Sequence, residues 1–200
     1  MIYLIITASI HNKDGIQNEL HRKQRYMQSI QAVLDLVQDI KPIIVENNGP
    51  RETYLNIFPC DVIYTTHNSA NFPHKGVNEL MDIKHVIQKY NIQEDDMIIK
   101  LTGRYRILHR DFIDTVKNHS NVDAFLKFFN VCTYEYMEND CVLGLLAMRC
   151  KYWKEFEYQC RHSAEVEFAR FVRKQVSNVM EIKELGLQCC FADDLRVLHV

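Results

Sequence analysis

Across the first hundred residues, short mainly apolar runs alternate with longer stretches of helical period, and few folds accommodate that alternation. Ile2–Ile10, Ile43–Glu46, Asp61–Thr65 and Met97–Leu101 read as buried strands, each closed by polar or turn-forming residues. Between them, Glu19–Ile40 places Tyr26, Ile30, Val33, Leu34 and Val37 on one helical face. Val77–Tyr90 does the same with Leu80, Ile83, Ile87 and Tyr90. Pro42 is expected to end the first helix, and Arg51–Ile57 to form a short one. Strand–helix alternation implies βαβ units, so the expected class is α/β: a single domain, with a central mainly parallel sheet flanked by helices. Further on, the pattern predicts helices over Arg110–Asn118, Lys151–Gln159 and Ala164–Gln175, and strands over Ala124–Phe129 and Val142–Met148. The tail from Val179 mixes short apolar runs.

Two hundred residues, 47% hydrophobic and 25% charged, suit one soluble domain with a real core. A net charge of −2 argues against broad capture of nucleic acid or membrane, so any anion site must be a local cluster. No apolar stretch approaches the ~18–20 residues of a membrane span. Met1–Ile6 has no basic leader and reads as a first strand, not a signal peptide. Seven cysteines without Cys-x-x-Cys spacing argue against disulfides or structural zinc and for a reducing compartment, hence a cytoplasmic protein. Cys189-Cys190 reads as a pair of small buried hydrophobes, and the nine histidines lack metal-ligand spacing.

Three polar clusters follow apolar strands: Thr7-Ala8-Ser9 with His11 and Asn12, Glu46-Asn47-Asn48-Gly49, and Thr102-Gly103-Arg104-Tyr105-Arg106. A ligand crevice of an open α/β sheet lies beyond the carboxyl ends of its strands, where these clusters fall. A fourth cluster, Asn71 to Glu79, precedes a helix; there Gly76 permits close backbone approach and Lys75 adds a charge. No Walker loop, Gly-x-Gly-x-x-Gly or Gly-x-Ser-x-Gly is present. Asp95-Asp96 lies at the wrong end of its strand for a site and reads as a solvated turn. So does Asp193-Asp194, and Arg22 and Arg25 read as a solvated helix face.

Taken in order, Ile5-Ile6-Thr7-Ala8-Ser9, Ile43 to Gly49, His74-Lys75-Gly76-Val77-Asn78-Glu79 and Ile98 to Tyr105 resemble nucleotide-sugar glycosyltransferases of the GT-A fold. The likeness is to small microbial and large-DNA-virus members, including chlorella-virus types. It implies one GT-A-like domain, with residues 1–110 as the nucleotide-sugar-binding half and residues 111–200 on the acceptor side. It further implies a nucleoside-diphosphate sugar donor such as a UDP-sugar, a glycan or other hydroxyl acceptor, and no nucleic-acid partner. The location it implies is the cytoplasm, the host's if the chain is viral. Thr7, Ser9, Glu46, Lys75, Gly76, Lys100, Thr102, Gly103 and Arg104 then fall to nucleotide-sugar binding. Most such enzymes carry Asp-x-Asp, which holds a divalent metal, where this chain reads Thr102-Gly103-Arg104. A guanidinium can neutralise a diphosphate and bind it bidentately, so Arg104, with Lys100, is expected to stabilise the leaving group. A divalent cofactor, Mn or Mg, stays open without an Asp-x-Asp to support it. An inverting transferase needs a base near the acceptor hydroxyl, and Glu165, Glu167 and Asp140 are the candidates. Two other readings remain: a nucleotidyltransferase of similar architecture, and a nucleotide-sugar-binding module that has lost its catalytic acids.

Overall fold

The computed structural model describes residues 1–11, 18–70, 72, 74–191 and 196–200. Asn12, Asn71, Pro73 and the Asp193-Asp194 pair lie outside them. The order of elements is β1 (Ile2–Ala8), α1 (Glu19–Leu36), β2 (Lys41–Glu46), β3 (Asp61–Tyr64), α2 (Lys75–Lys89), β4 (Met97–Thr102), β5 (Arg106–Ile107) and α3 (Asp111–Asn118). There follow β6 (Ala124–Leu126), β7 (Leu145–Arg149), α4 (Cys150–Glu155), α5 (Ala164–Gln175), β8 (Val179–Glu181), β9 (Leu187–Cys190) and β10 (Val197–His199).

Seven strands form the main sheet in the order β3-β2-β1-β4-β7-β6-β8. β3, β2, β1 and β4 are parallel neighbours, as the strand–helix alternation requires. β7 pairs antiparallel with both β4 and β6, which makes the sheet mixed though mainly parallel. A smaller antiparallel sheet, β10-β9-β5, gathers most of the tail.

Strand side chains alternate between two cores. Leu4, Ile6 and Ala8 pack with Tyr26, Ile30 and Val33 of α1 and with Phe112, Ile113 and Val116 of α3. Tyr3 and Ile5 pack on the other face with Leu80, Ile83 and Val86 of α2, Trp153 of α4, and Phe168 and Val172 of α5. Each such fully buried side chain contributes roughly 1.5–3 kcal/mol over leaving it in water. Both faces are covered, which is why β1 and, apart from Lys100, β4 read as nearly continuous apolar runs.

Several boundaries differ from expectation. α1 stops at Leu36, where Val37 donates its N–H to the Val33 carbonyl and a turn follows. Pro42 therefore does not end a helix; it stands second in β2, opposite Leu4, close to the strand start where a missing N–H costs least. The segment after Arg51 shrinks to a 3-10 turn, Tyr54–Ile57, capped by Thr53. The later strands are shorter than their apolar runs, because Phe128, Cys141 and Val142 are buried from loops. Asp96 is in a turn, as expected, accepting from the Gln93 amide at 2.9 Å. All seven cysteines are free, and Cys189 and Cys190 are buried. Among the described residues no helix is long and apolar enough to cross a membrane.

The topology fixes where a site can be. From β1 the chain passes through α1 to β2 on one side; from β3 it passes through α2 to β4 on the other. Strand order thus reverses between β1 and β4, and their carboxyl ends, Thr7 beside Thr102, border a crevice.

Candidate functional site

A cavity of about 210 Å³ opens at that reversal. Its wall takes Thr7 and Ser9 from the end of β1, Asn47 from the end of β2, Lys75, Gly76, Asn78, Glu79 and Asp82 from α2, and Lys100, Thr102 and Arg104 from β4 and its turn. Gly144 and Glu165 close the far side. The four polar clusters of the sequence converge here.

The turn after β4 is shaped by contact. The Gly103 amide donates to the Thr7 carbonyl at 2.8 Å, and a Cβ on Gly103 would lie 2.9 Å from that same oxygen. Only a residue without a side chain lets the turn settle onto β1. Gly103 does not line the cavity; it delivers Arg104 to it. The Arg104 guanidinium donates through Nε to the Cys190 carbonyl at 3.0 Å and lies over the Tyr105 ring, 4.9 Å from its centre. Burial acts to lower its pKa, but Tyr105, Tyr26 and Glu79 outweigh burial and the net shift is upward. Tyr105 in turn covers Gly144, where a Cβ would come within 2.3 Å of the ring.

The floor is an ion pair. Lys100, 2% exposed, donates to the Thr102 hydroxyl at 2.8 Å, the Leu143 carbonyl at 2.5 Å and the Glu79 carboxylate at 2.9 Å. An ammonium has three N–H donors and these contacts engage all of them. Lys100 therefore offers a ligand charge but no further hydrogen bond, so any help it gives the leaving group is one of charge. Burial pushes the Glu79 carboxyl up, while Lys100, the Thr7 hydroxyl and Arg104 together pull it below the ordinary glutamate value. Burial likewise pulls Lys100 down and Glu79 opposes it. Glu79 carries the negative charge of the floor.

The three candidate bases separate. Ser163 caps α5 through the Val166 amide at 3.3 Å, and Glu165 stands in the first turn, lining the cavity. Glu167, two residues on, accepts the backbone amides of Gln159, Cys160, Arg161 and His162 at 2.6–3.1 Å and is used up in shaping the loop before α5. Asp140 does not line the cavity; its carboxylate accepts from Asn130 Nδ2 at 2.6 Å and organises the 130–140 loop. Burial raises the Asp140 pKa, against that hydrogen bond.

Glu46 is displaced from its expected place. It is wholly buried, and its carboxylate takes the Ile10 and Asn48 amides at 3.1 Å and Arg51 at 3.2 Å. It joins the β1 and β2 loops and does not line the cavity. Arg22 is no solvated face either: it is 6% exposed and donates to the Ser9 and Ile10 carbonyls, bracing the loop after β1. Arg25 donates to the Phe191 carbonyl. Sequence reading passed over Asp82, which is wholly buried in the wall and accepts from Thr65, His67 and Asn47 at 2.6–2.9 Å. It also gave Glu79 no role beyond its motif, and missed Gly144. A helical spacing from Gly76 to Glu79, one turn apart, is the signal that would have brought Glu79 in.

Among the described residues, no group of three His, Cys, Asp or Glu side chains could hold a metal ion. Of the carboxylates that line the cavity, Asp82 is held by three donors and Glu79 by an ammonium on one oxygen, and with Glu165 they form no group that could hold a metal ion. This donor set does not fit a divalent cation, which favours several unopposed oxygens.

By sequence, no protein-family model and no curated protein matches the chain. By structure, it is similar to a proposed nucleotide-diphospho-sugar transferase of Desulfovibrio desulfuricans G20, with TM-score 0.56 and 7% identity over 90% of this chain and 79% of that one. It is also similar to the bifunctional IspDF of Campylobacter jejuni, with TM-score 0.57 and 10% identity over 92% of this chain and 50% of that one. A third likeness is to a CMP:2-keto-3-deoxy-manno-octonic acid synthetase complexed with CTP, with TM-score 0.52 and 12% identity over 90% of this chain and 89% of that one. At these identities the likeness is one of fold: a nucleotide-diphospho-sugar-transferase-like α/β architecture.

Proposed function

We propose that the chain is a glycosyltransferase that binds a nucleoside-diphosphate sugar at the β1/β4 crevice and transfers the sugar to a hydroxyl acceptor. The observation that carries this reading is one cavity with a guanidinium, Arg104, delivered by β4 and a carboxylate, Glu165, delivered by α5. The diphosphate lies against Arg104 and Lys75, two of the cations of the wall. Glu165 takes the proton of the acceptor hydroxyl as its oxygen bonds to the anomeric carbon. The bond from that carbon to the diphosphate oxygen breaks, and the nucleoside diphosphate leaves with the electron pair. Charge grows on the leaving oxygen as the bond breaks, and a guanidinium fixed beforehand by Cys190 and Tyr105 meets it without reorganisation. No metal enters the step, because the donor set does not suit one. The reading places the enzyme in a reducing compartment, the cytoplasm, in keeping with its seven free cysteines.

A second reading is nucleotidyl transfer, with pyrophosphate leaving. It is favoured by the similarity to the synthetase complexed with CTP, which covers 90% of this chain, and to IspDF. Product analysis separates the two. The protein is incubated with UDP-, GDP- and dTDP-sugars and, separately, with nucleoside triphosphates and sugar phosphates. Slow release of nucleoside diphosphate, reduced ~10²–10⁴-fold in Glu165→Gln, is the expected result. Pyrophosphate release from a triphosphate would replace the proposal with the second reading. A thermal shift with nucleotide sugar but no turnover of any substrate would leave only a binding module.

A further inference from the structure

The contacts of Glu79 in the cavity fall on one of its two oxygens. Thr7 Oγ1 at 2.5 Å, Lys100 Nζ at 2.9 Å and Thr102 Oγ1 at 3.4 Å all gather on Oε1. Among the described residues no hydrogen bond reaches Oε2, and the side chain, 27% exposed, lines the cavity. Two threonines and a lysine from neighbouring strands therefore lock the carboxylate in one orientation and leave half of its acceptor capacity to a ligand.

What that half can bind follows from its chemistry. An ionised carboxylate only accepts, so its partner must donate. A phosphate would be repelled, and the diphosphate has Arg104 and Lys75 to meet it. The locked oxygen also makes a poor proton acceptor for catalysis, because the three donors on Oε1 favour the charged form. What remains is a neutral donor, and on the sugar side of a nucleotide sugar the neutral donors are chiefly hydroxyls. Position then selects which one. Glu79 stands one helical turn after Gly76, whose added Cβ would lie 2.7 Å from the Ala164 Cβ, so the start of α2 touches the start of α5 beside Glu165. A group bound at Glu79 lies on the side of the cavity where the sugar is transferred.

We infer that Glu79 binds hydroxyl groups of the transferred sugar and sets which sugar is accepted, an inference that rests on the nucleotide-sugar reading of the cavity. Its role is recognition: the hydroxyl donates to Oε2, and the sugar is thereby oriented toward Glu165. Ribose hydroxyls of the same donor have the same chemistry, and the test tells the two apart.

Binding is measured by calorimetry for UDP-glucose, UDP-galactose and GDP-mannose against UDP and GDP alone. The sugar nucleotide that gains most over its diphosphate is then compared with its 2-, 3-, 4- and 6-deoxyfluoro forms and with its 2′-deoxyribose form, in wild type and Glu79→Gln. The expected result is a loss of ~10-fold or more for at least one sugar position in wild type, the size of a hydrogen bond to a charged group. That loss should shrink to about twofold in Glu79→Gln, because a cycle of this kind isolates the pairwise contact. The ribose change should show no such coupling. A misfolded Glu79→Gln would lose UDP or GDP itself, whereas the expected variant keeps the diphosphate and loses only its dependence on the sugar hydroxyl. If UDP or GDP binds but no sugar hydroxyl couples to Glu79, or if the coupling falls on the ribose, this inference is overturned and the nucleotide site stands. If neither diphosphate nor any sugar nucleotide binds, the nucleotide reading fails and takes this inference with it.

Discussion

Gly103 shows how much a single residue can decide. Its amide and its missing side chain both face the Thr7 carbonyl, and the turn that follows aims Arg104. Gly103→Ala forces a Cβ to 2.9 Å from a backbone oxygen that cannot swing away. We expect a loss of about 1–3 kcal/mol in urea unfolding, together with weaker nucleotide binding. Unchanged stability would mean that the turn is not held as described. The sequence marked Gly103 and Arg104 because both sit at the end of an apolar strand. It could not mark the Glu79–Lys100 pair as a pair, since the partners belong to α2 and β4 and meet only after the sheet forms. Glu46 misled for a related reason: it follows β2 as a site residue would, but its buried carboxylate finds three partners in neighbouring loops.

At the scale of elements, α5 is placed by the loop before it. Four backbone amides from Gln159 to His162 converge on Glu167, and Cys160 takes a left-handed φ of 57° within that loop. Burial opposes ionisation of Glu167, but the amides outweigh it and its pKa falls below the ordinary 4.5. A depressed carboxyl stabilises the fold above its unfolded value, and that contribution disappears as pH falls through the folded value. Glu167→Gln should therefore lower stability at pH 7 by about 1 kcal/mol, a figure reduced for solvent screening. The gap to wild type should close as the pH drops below 4.5, and paired denaturation curves from pH 7 to pH 3 measure it. A gap independent of pH would contradict the account. The helix itself was legible with both ends correct, because Ser163 caps it and its period is clear. α4 and the strands around it were read too long, because buried loop residues such as Val142 look the same as strand residues in a sequence.

For the molecule as a whole, alternation predicted the parallel part of the sheet, and the reversal of strand order between β1 and β4 follows from which side of β1 each crossover takes. The antiparallel pairing of β7 and the small β10-β9-β5 sheet were not legible, since pairing between distant short strands leaves no local period. The fold provides a crevice, and the crevice presents a guanidinium where the resemblance to GT-A enzymes would have placed an Asp-x-Asp. The measurement that bears most directly on this is calorimetric titration of UDP and GDP into the protein in EDTA, for wild type and Arg104→Ala. The account predicts metal-independent binding in wild type that weakens ~10-fold or more in Arg104→Ala. Binding that appears only when Mn or Mg is added, or that is unchanged without Arg104, would contradict it.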